Sequence, residues 1–520
     1  MALFDFLRRS DEPKKQGRNG IRKLVRNYAG ANQGRLFADF VASSFSADSD
    51  LKTSLPILRD RSRDLAKNNE YAKRFLNLVK TNVVGETGFT LQVRARNDDN
   101  SLDVRGNQII EDAFRRWSRM GSCEVSGRMS WLDCQRFVAE SLARDGEVFI
   151  KKIVNRNFQD GFTIQFIEPE MVDHEKNGRN ESNNNEIRMG VELDSFKRPV
   201  AYYVLTDHPN DDFFATPKQR KHVRVPASEV IHVFMPTRNY QTRGEPFMAP
   251  AISALKMLNG WREASLIAAR ASAAKFGVIT TPSGDEFVGD DESPEGMPII
   301  DMEPGSYSQL PAGHNFEMID PKHPTSSFAD FETAILRGIS SGLNVSYTSL
   351  SNDLTGVSYS SIRQGTIEER DHYRMLQSFL IQHFCEPIFM SWLDSALDFG
   401  EMNIPNTNEK FRKFSSNVHF RGRGFAWVDP LKEINAAVTG VQNGLMSLND
   451  VAANYGRDIE ELFAQIQNDK ALAEQYGIKM AFEDQCGCEI GFHRAARTRL
   501  RFRMPEQVTR CANRFNDRHQ

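Results

Sequence analysis

Few residues in this 520-residue chain stand at the spacings that chemistry requires. Gly338-Ile339-Ser340-Ser341-Gly342 matches the Gly-x-Ser-x-Gly pattern of a serine hydrolase, whose nucleophile sits on a sharp turn between a strand and a helix. Here the serine falls inside a helical repeat, since Phe328, Phe331, Ile335, Ile339 and Leu343 recur at spacings of three and four. We therefore assign no catalytic residue. The chain has no Gly-Lys dipeptide, so the phosphate-binding GxxxxGK[ST] loop is absent, which argues against an ATP-driven motor; His-Glu-x-x-His and Gly-x-Gly-x-x-Gly are absent too. Cys486-Gly487-Cys488 with His493 offers thiolate and imidazole donors, but structural zinc sites usually place about two to four residues between cysteines. Asp285, Glu286, Asp290, Asp291, Glu292, Glu295, Asp301 and Glu303 crowd a stretch without a basic residue. Their spacing is not that of the Asp-x-Asp-x-Asp-Gly calcium loop, and composition alone reads as a solvated acidic loop. No metal and no cofactor is assigned.

Composition limits the class further. A chain of this length needs more than one core, so roughly two to four packing units are expected. The net charge of −3 rules out a polyelectrolyte that coats nucleic acid with its whole surface, and 40% apolar residues is ordinary for a soluble protein. Six cysteines in so long a chain are no disulfide framework and point to a reducing compartment. No apolar run approaches the roughly 18 residues of a membrane span. The start MALFDFLRR carries its charges after its apolar patch, the reverse of a signal peptide, so a cytosolic origin is expected.

The elements follow from periodicity. Residues 1–50 are basic (Arg8, Arg9, Lys14, Lys15, Arg18, Arg22, Lys23, Arg26) and then Ser/Ala/Asp-rich; they read either as a mobile arm or as a nucleic-acid or capsid contact. A helix is expected from about Leu55 to Lys80, a short strand at Phe89, Leu91 and Val93, and a helix over residues 101–120. From Trp131 to about Phe234 a helix gives way to period-2 segments separated by turn residues, which predicts an α+β body of antiparallel strands with flanking helices. His174, His222 and His232 lie in it and read as structural histidines. An alanine-rich helix over 250–276 would span roughly 40 Å. After the loop-rich stretch 277–325 and the Phe328–Leu343 helix comes the polar segment SLSNDLTGVSYSS, expected to be exposed. A long helix then begins near Ser360 and runs past Phe399, with Pro387 expected to kink it. Small amphipathic helices follow to about residue 481. Arg494, Arg497, Arg499 and Arg501 lead the basic tail, a disordered segment or a DNA contact, because arginines neutralise phosphate without reading sequence.

Several stretches together resemble a known family. NVSYTSLSNDLTGVSYSSIRQGTIEER is similar to a stretch of the lambda-like portal proteins of tailed phages, with Tyr347, Leu350, Asp353, Leu354, Tyr359, Ser360, Ser361, Ile362 and Arg363 in place and Ser358 where the family usually has Asn. RSRDLAKNNEYAKRFLNLVKTNVVGETGFTLQ, MEPGSYSQLPAGHNFEMIDPKHPTSSFADF and WVDPLKE followed by GLMS resemble it too, in the family's order. The resemblance covers roughly residues 55–480. It implies a portal fold: an α/β wing over 51–245, stem helices at 246–276 and 326–343, and a small clip insertion at 277–325. A channel loop at 344–361 follows, then a long helix over 362–425 returning to the wing, a helical C-terminal crown at 426–481 and the basic tail 482–520.

The same resemblance implies a ring, commonly of twelve copies, at one capsid vertex, through which double-stranded DNA is packaged and ejected. Ser351, Asn352, Asp353, Thr355, Ser358, Tyr359 and Ser360 would face that DNA, and Asp285, Glu286, Asp290, Asp291 and Glu292 would dock partners. Those partners would be the large terminase subunit, then head-completion and tail connector proteins, with major capsid and scaffolding proteins around the ring. The protein would reside in the virion, and in the host cytoplasm during assembly. Two other classes are open to the residues alone. One is a monomeric scaffold binding nucleic acid through its basic ends; the other is a metal-dependent hydrolase or nuclease using scattered carboxylates.

Overall fold

The computed structural model describes residues 44–211, 221–274, 328–400, 404–425, 430–455 and 459–477, with Met402, Arg457 and four short strands between 277 and 318. They fall into two units, one ending at Arg423 and the other starting at Gly424.

In the first unit, helix α1 (Ala47–Asn68) starts at Ser46, whose hydroxyl accepts from the Ser49 amide, and carries Pro56 within it. It stops at Asn69, which is extended (φ −123°, ψ 125°) and caps α2 (Glu70–Val79) by accepting from the Tyr71 and Ala72 amides. The single helix expected over 55–80 is thus corrected. It begins at Ala47, inside the stretch assigned to the arm, and it is split because an asparagine serves an N-terminus better than a helix interior. A π turn (Lys80–Val84) closes it at Gly85, whose φ is +72°. Strand β1 (Thr90–Val93), helix α3 (Val104–Trp117) and helix α4 (Trp131–Asp145) follow. A capping box between Ser130 and Asp133 starts α4, and Gly146 ends it in the left-handed region (φ 87°). A Cβ there would lie 2.2 Å from the Glu245 carbonyl carbon, so glycine is required both by conformation and by space.

Between Glu147 and Phe234 the strands form two antiparallel sheets. In the first, β2 (Glu147–Val154) lies between β3 (Phe162–Ile167) and a strand later in sequence. The second runs in chain order through β4 (Gly178–Arg179), β5 (Glu186–Arg188), β6 (Val191–Leu193), β7 (Pro199–Leu205) and β8 (His222–Pro226). Strand β9 (Val230–Phe234) then returns to the first sheet beside β2, pairing Phe149 with His232.

Beyond the sheets come the long helix α5 (Ile252–Ala274), the antiparallel pairs β10 (Gly277–Thr280) with β13 (Asn315–Met318) and β11 (Asp291–Glu292) with β12 (Pro298–Ile299), and α6 (Phe328–Gly342). Short helix α7 (Tyr347–Ser351) precedes α8 (Tyr359–Leu380), which passes through a π turn (Ile381–Cys385) into α9 (Glu386–Phe399). The widened turn sits where Pro387 leaves the His383 carbonyl without an N–H to accept. Residues 362–425 also contain α10 (Asn408–Ser415) and β14 (Val418–Arg421), so they are more than one returning helix; β14 pairs antiparallel with β1, Leu91 opposite Phe420.

This unit's core is aromatic. The Phe114 ring lies 5.0 Å from Trp392, 5.3 Å from Trp117 and 5.7 Å from Phe389, and Trp131 stacks on Phe384 at 4.9 Å. Helix α9 is thereby clamped against α3, and the π turn before it against α4, each ring pair contributing about 0.5–1.5 kcal/mol beyond its buried area. The buried Trp117 indole donates to the Phe162 carbonyl at 2.8 Å. The second unit comprises α11 (Pro430–Gln442), α12 (Leu448–Asn454), begun by a Ser447–Asp450 capping box, and α13 (Ile459–Gln475).

Candidate functional site

The residues that direct α5 are charged and buried. Arg243 has no exposed surface, and its Nε donates to both Glu147 carboxylate oxygens at 2.9 Å. Its Nη groups donate to the carbonyls of Met189 (2.7 Å), Pro169 (2.9 Å) and Val172 (3.1 Å). Arg59 of α1 donates to Glu147 at 2.6 Å, the Gly244 amide at 3.1 Å, and His232 meets it at 3.0 Å. Burial alone would raise the Glu147 carboxyl; the charges of Arg243 and Arg59 with the His232 hydrogen bond outweigh it and hold the group well below the usual carboxylate range. Burial pushes the His232 ring below its ordinary value despite the carboxylate. Helix α1, strand β9 and the Arg243–Gly244 segment all meet the one carboxylate of β2, so the chain leaves for α5 from a fixed point.

Among the residues of α5 whose burial is described, the buried ones, Ile252, Leu255 and Leu258, lie at its start. Farther along, Leu266 is 54% and Ile267 59% exposed, and Met257 is 75% exposed on the earlier turns. Trp261 stacks on Phe328 (4.5 Å) and meets Phe331 (4.7 Å), while the far end of α6, at Gly342, lies by Pro250, so the two helices run antiparallel. Arg262 pairs with Glu70 and, at 3.4 Å, with Glu332, and lies over the Tyr71 ring; the Tyr71 hydroxyl donates to Glu332 at 3.1 Å. Helix α2 is thus tied to both members of the pair.

After α6 the chain turns at Asn344 (φ 55°) into α7, which Ser346 caps. Ser351 is the last residue of α7 and donates to the Tyr347 carbonyl at 2.7 Å. The polar segment therefore holds a helical turn that its composition hides, and residues 352–358 are what remains outside helices. Asn352 closes α7 in the left-handed region (φ 56°) and is exposed. Asp353 accepts from the Thr355 hydroxyl (2.6 Å) and amide (2.9 Å) and from the Tyr347 hydroxyl (2.9 Å), bonds that hold its carboxyl below the ordinary value. Leu354, Thr355 and Gly356 are exposed, Gly356 at φ +69°. Ser358 caps α8 by accepting from the Ser361 amide, and Tyr359 and Ser360 begin that helix rather than the loop.

The loop's root is held from α8, where the charged run Glu368, Glu369, Arg370, Asp371, His372 and Arg374 reads in sequence as a solvent face but turns Glu369 inward. Glu369 of α8, buried, accepts from Ser346 (3.0 Å) and Ser349 (2.8 Å) on one oxygen and from Tyr373 (2.7 Å) on the other. Arg74 of α2 donates to the Ser349 carbonyl at 3.0 Å, and Arg337 of α6 lies over the Tyr347 ring at 5.6 Å. Tyr347 and Asp353 stand in the resembling stretch, but their bond is visible only once α7 is folded.

Of the proposed docking acids, Asp291 and Glu292 form β11, and Asp285, Glu286 and Asp290 lie outside the described residues, as do the tail residues Arg494, Arg497, Arg499 and Arg501, the Cys486–Cys488 pair and most of the arm. The Ser340 hydroxyl is buried within α6 and donates to the Leu336 carbonyl at 2.7 Å; it lies inside a helix and not on a strand-to-helix turn, so the elbow geometry is missing. His222 meets Asp173 at 2.6 Å, a structural partnership like that of His232. Among the described residues, no helix is long and apolar enough to cross a membrane.

A family model described as "Phage portal protein, lambda family" matches residues 33–377. The probable portal protein of Halomonas phage phiHAP-1 is 34% identical over 477 residues, covering 90% of this chain and 91% of that one. Portal protein B of Escherichia phage lambda is 23% identical over 512 residues, covering 90% and 94%. Among solved structures, the neck of an empty GTA particle is 12% identical with a TM-score of 0.42, covering 82% of this chain and 99% of that one. An HK97 family phage portal protein from Corynebacterium diphtheriae is 11% identical with a TM-score of 0.31, covering 72% and 96%. Both structures are remote likenesses. The match through more than half the chain, with a relative above 30% identity along nine-tenths of it, carries the assignment: the chain belongs to the lambda family of phage portal proteins.

Proposed function

We propose that copies of this chain, twelve by analogy with the family, close into a ring at one capsid vertex, and that double-stranded DNA enters and leaves the capsid through its centre. The observation that carries this reading is the α5–α6 pair. Met257, Leu266, Ile267 and Phe331 stand exposed on this pair, as expected of surface that a neighbouring copy covers. A groove of about 590 Å³ lined by Glu70, Asn259, Arg262, Ser265, Leu266 and Phe328 runs along the same pair.

In this reading α5 and α6 are the stem, residues 277–325 are the clip, and 426–481 the crown. The acids Asp285, Glu286, Asp290, Asp291 and Glu292 of the clip receive the large terminase subunit and later the head-completion and connector proteins. Capsid and scaffolding proteins surround the ring, and the Arg494–Arg501 arginines touch DNA non-specifically. The loop from Ser351 to Ser361 faces the channel. Its apex is exposed, uncharged apart from Asp353, and braced at its root, which suits a surface that DNA must slide past rather than bind. Deleting Asp353–Gly356 should impair packaging or retention of DNA while rings still form; normal packaging by that deletion would sink the assignment of the loop.

A further inference from the structure

Glu369 lies one helix away from the loop apex and touches none of its exposed residues, yet it gathers the hydroxyls of Ser346 and Ser349 from both ends of the first turn of α7. Its other oxygen is taken by Tyr373 of its own helix, which fixes the carboxylate's direction. Ser349 is gripped twice: Arg74 of α2 holds its carbonyl while Glu369 holds its hydroxyl. Tyr347, in the same turn, carries the constraint onward, because its hydroxyl ends on Asp353 in the loop itself. The path from α8 to the apex is therefore continuous: Glu369, Ser349, the α7 turn, Tyr347, Asp353.

We propose that Glu369 is the positioning residue of the channel loop, holding α7 through Ser346 and Ser349 and thereby setting where the apex at Asn352–Gly356 stands. The inference rests on the reading that this loop faces DNA. A carboxylate suits the task because one oxygen can accept from two hydroxyls at once. The buried site, with Glu369 only 8% exposed, keeps water from replacing them.

Ser349→Ala separates this role from simple helix support, since the two predict opposite signs. Alanine is the better helix former, so an account in which α7 stands on its own propensity predicts equal or greater protection of its amides. The positioning account predicts that amide hydrogen exchange across residues 347–356 of the full-length protein rises at least about fivefold, from the loss of a bond to a charged acceptor offset by the gain in propensity. Ser349→Thr, which keeps the hydroxyl, should restore the protection, and amides of α4 should not change in either variant. Unchanged or slower exchange in Ser349→Ala overturns the proposal, as does failure of the threonine to rescue it. Packaging then tests the reading beneath it. Faster exchange with reduced DNA retention supports both. Faster exchange with normal retention upholds the positioning role and overturns the channel reading. Normal exchange in Ser349→Ala, alongside a packaging defect in the Asp353–Gly356 deletion, does the reverse.

Discussion

Glu147 and Glu369 are both buried carboxylates, and their surroundings differ in kind. Around Glu147 stand two arginines, a histidine and a backbone amide drawn from α1, β9 and the segment leading to α5. Around Glu369 stand three hydroxyls, two of them from one short helix. Removing an arginine from the first breaks a fully buried ion cluster, at about 3–5 kcal/mol. Removing one hydroxyl from the second costs about 1.5–3 kcal/mol and leaves two donors behind. The body is built so that the exit toward α5 cannot move. The loop root is held firmly enough to have a posture, yet by bonds that can be exchanged one at a time. The neighbouring α5–α6 pair differs from the body in the same direction: it leaves Met257, Leu266, Ile267 and Phe331 exposed.

This contrast can be broken most forcefully at Arg243. Arg243→Met should lower the unfolding free energy of the first unit by about 3–5 kcal/mol, read by denaturant titration; a loss under about 1 kcal/mol would mean the cluster is not what fixes the exit. Gly146→Ala, next in size, forces a Cβ against the Glu245 carbonyl at a left-handed position and should cost about 2–3 kcal/mol by the same titration.

Acid provides a graded probe of the hub. His232 is depressed below its ordinary 6.5, so the unfolded chain takes up a proton that the folded one refuses; that stabilisation is present above pH 6.5 and lost as pH falls below it. Glu147 is depressed below its ordinary 4.5, so its stabilisation is present above that pH and lost as acid approaches the folded value. Melting temperature should decline from pH 7 toward 5 and then more steeply below 4.5, and His232→Gln should remove only the upper part. A flat profile between pH 7 and 5 in the unsubstituted protein would contradict this account of the histidine. The smallest expected effect on stability sharpens the other side. Leu266→Ser with Ile267→Ser should change monomer stability by no more than about 0.5 kcal/mol, because both are already exposed, while abolishing ring assembly in sedimentation. Intact rings from that variant would show that α5 faces no neighbour.

Much of the fold could be read in the sequence because its signals are local. Gly146 after a charged helix end, the period-2 strands up to Phe234 and the three-four spacing of Phe328, Phe331, Ile335 and Ile339 each specify an element within a few residues. What was hidden depends on residues far apart. The Arg243–Glu147 ion cluster joins positions nearly one hundred residues apart, and the β1–β14 pair joins positions more than three hundred apart, beyond the reach of any pattern within a window. The helical turn at Tyr347–Ser351 was masked by serines that normally favour turns; here Ser346 and Ser349 direct their hydroxyls at Glu369. The exposed loop could be read from composition; its brace could not, because nothing in Glu369's own neighbourhood of charged residues marks it as the one turned inward.

The measurement closest to the centre of this account is the mass and shape of the full-length protein, by native mass spectrometry with negative-stain images, alone and after coexpression with capsid and scaffolding proteins. Closed rings with a central hole, near twelve copies, are the predicted result. A chain that stays monomeric even with those partners present would contradict it.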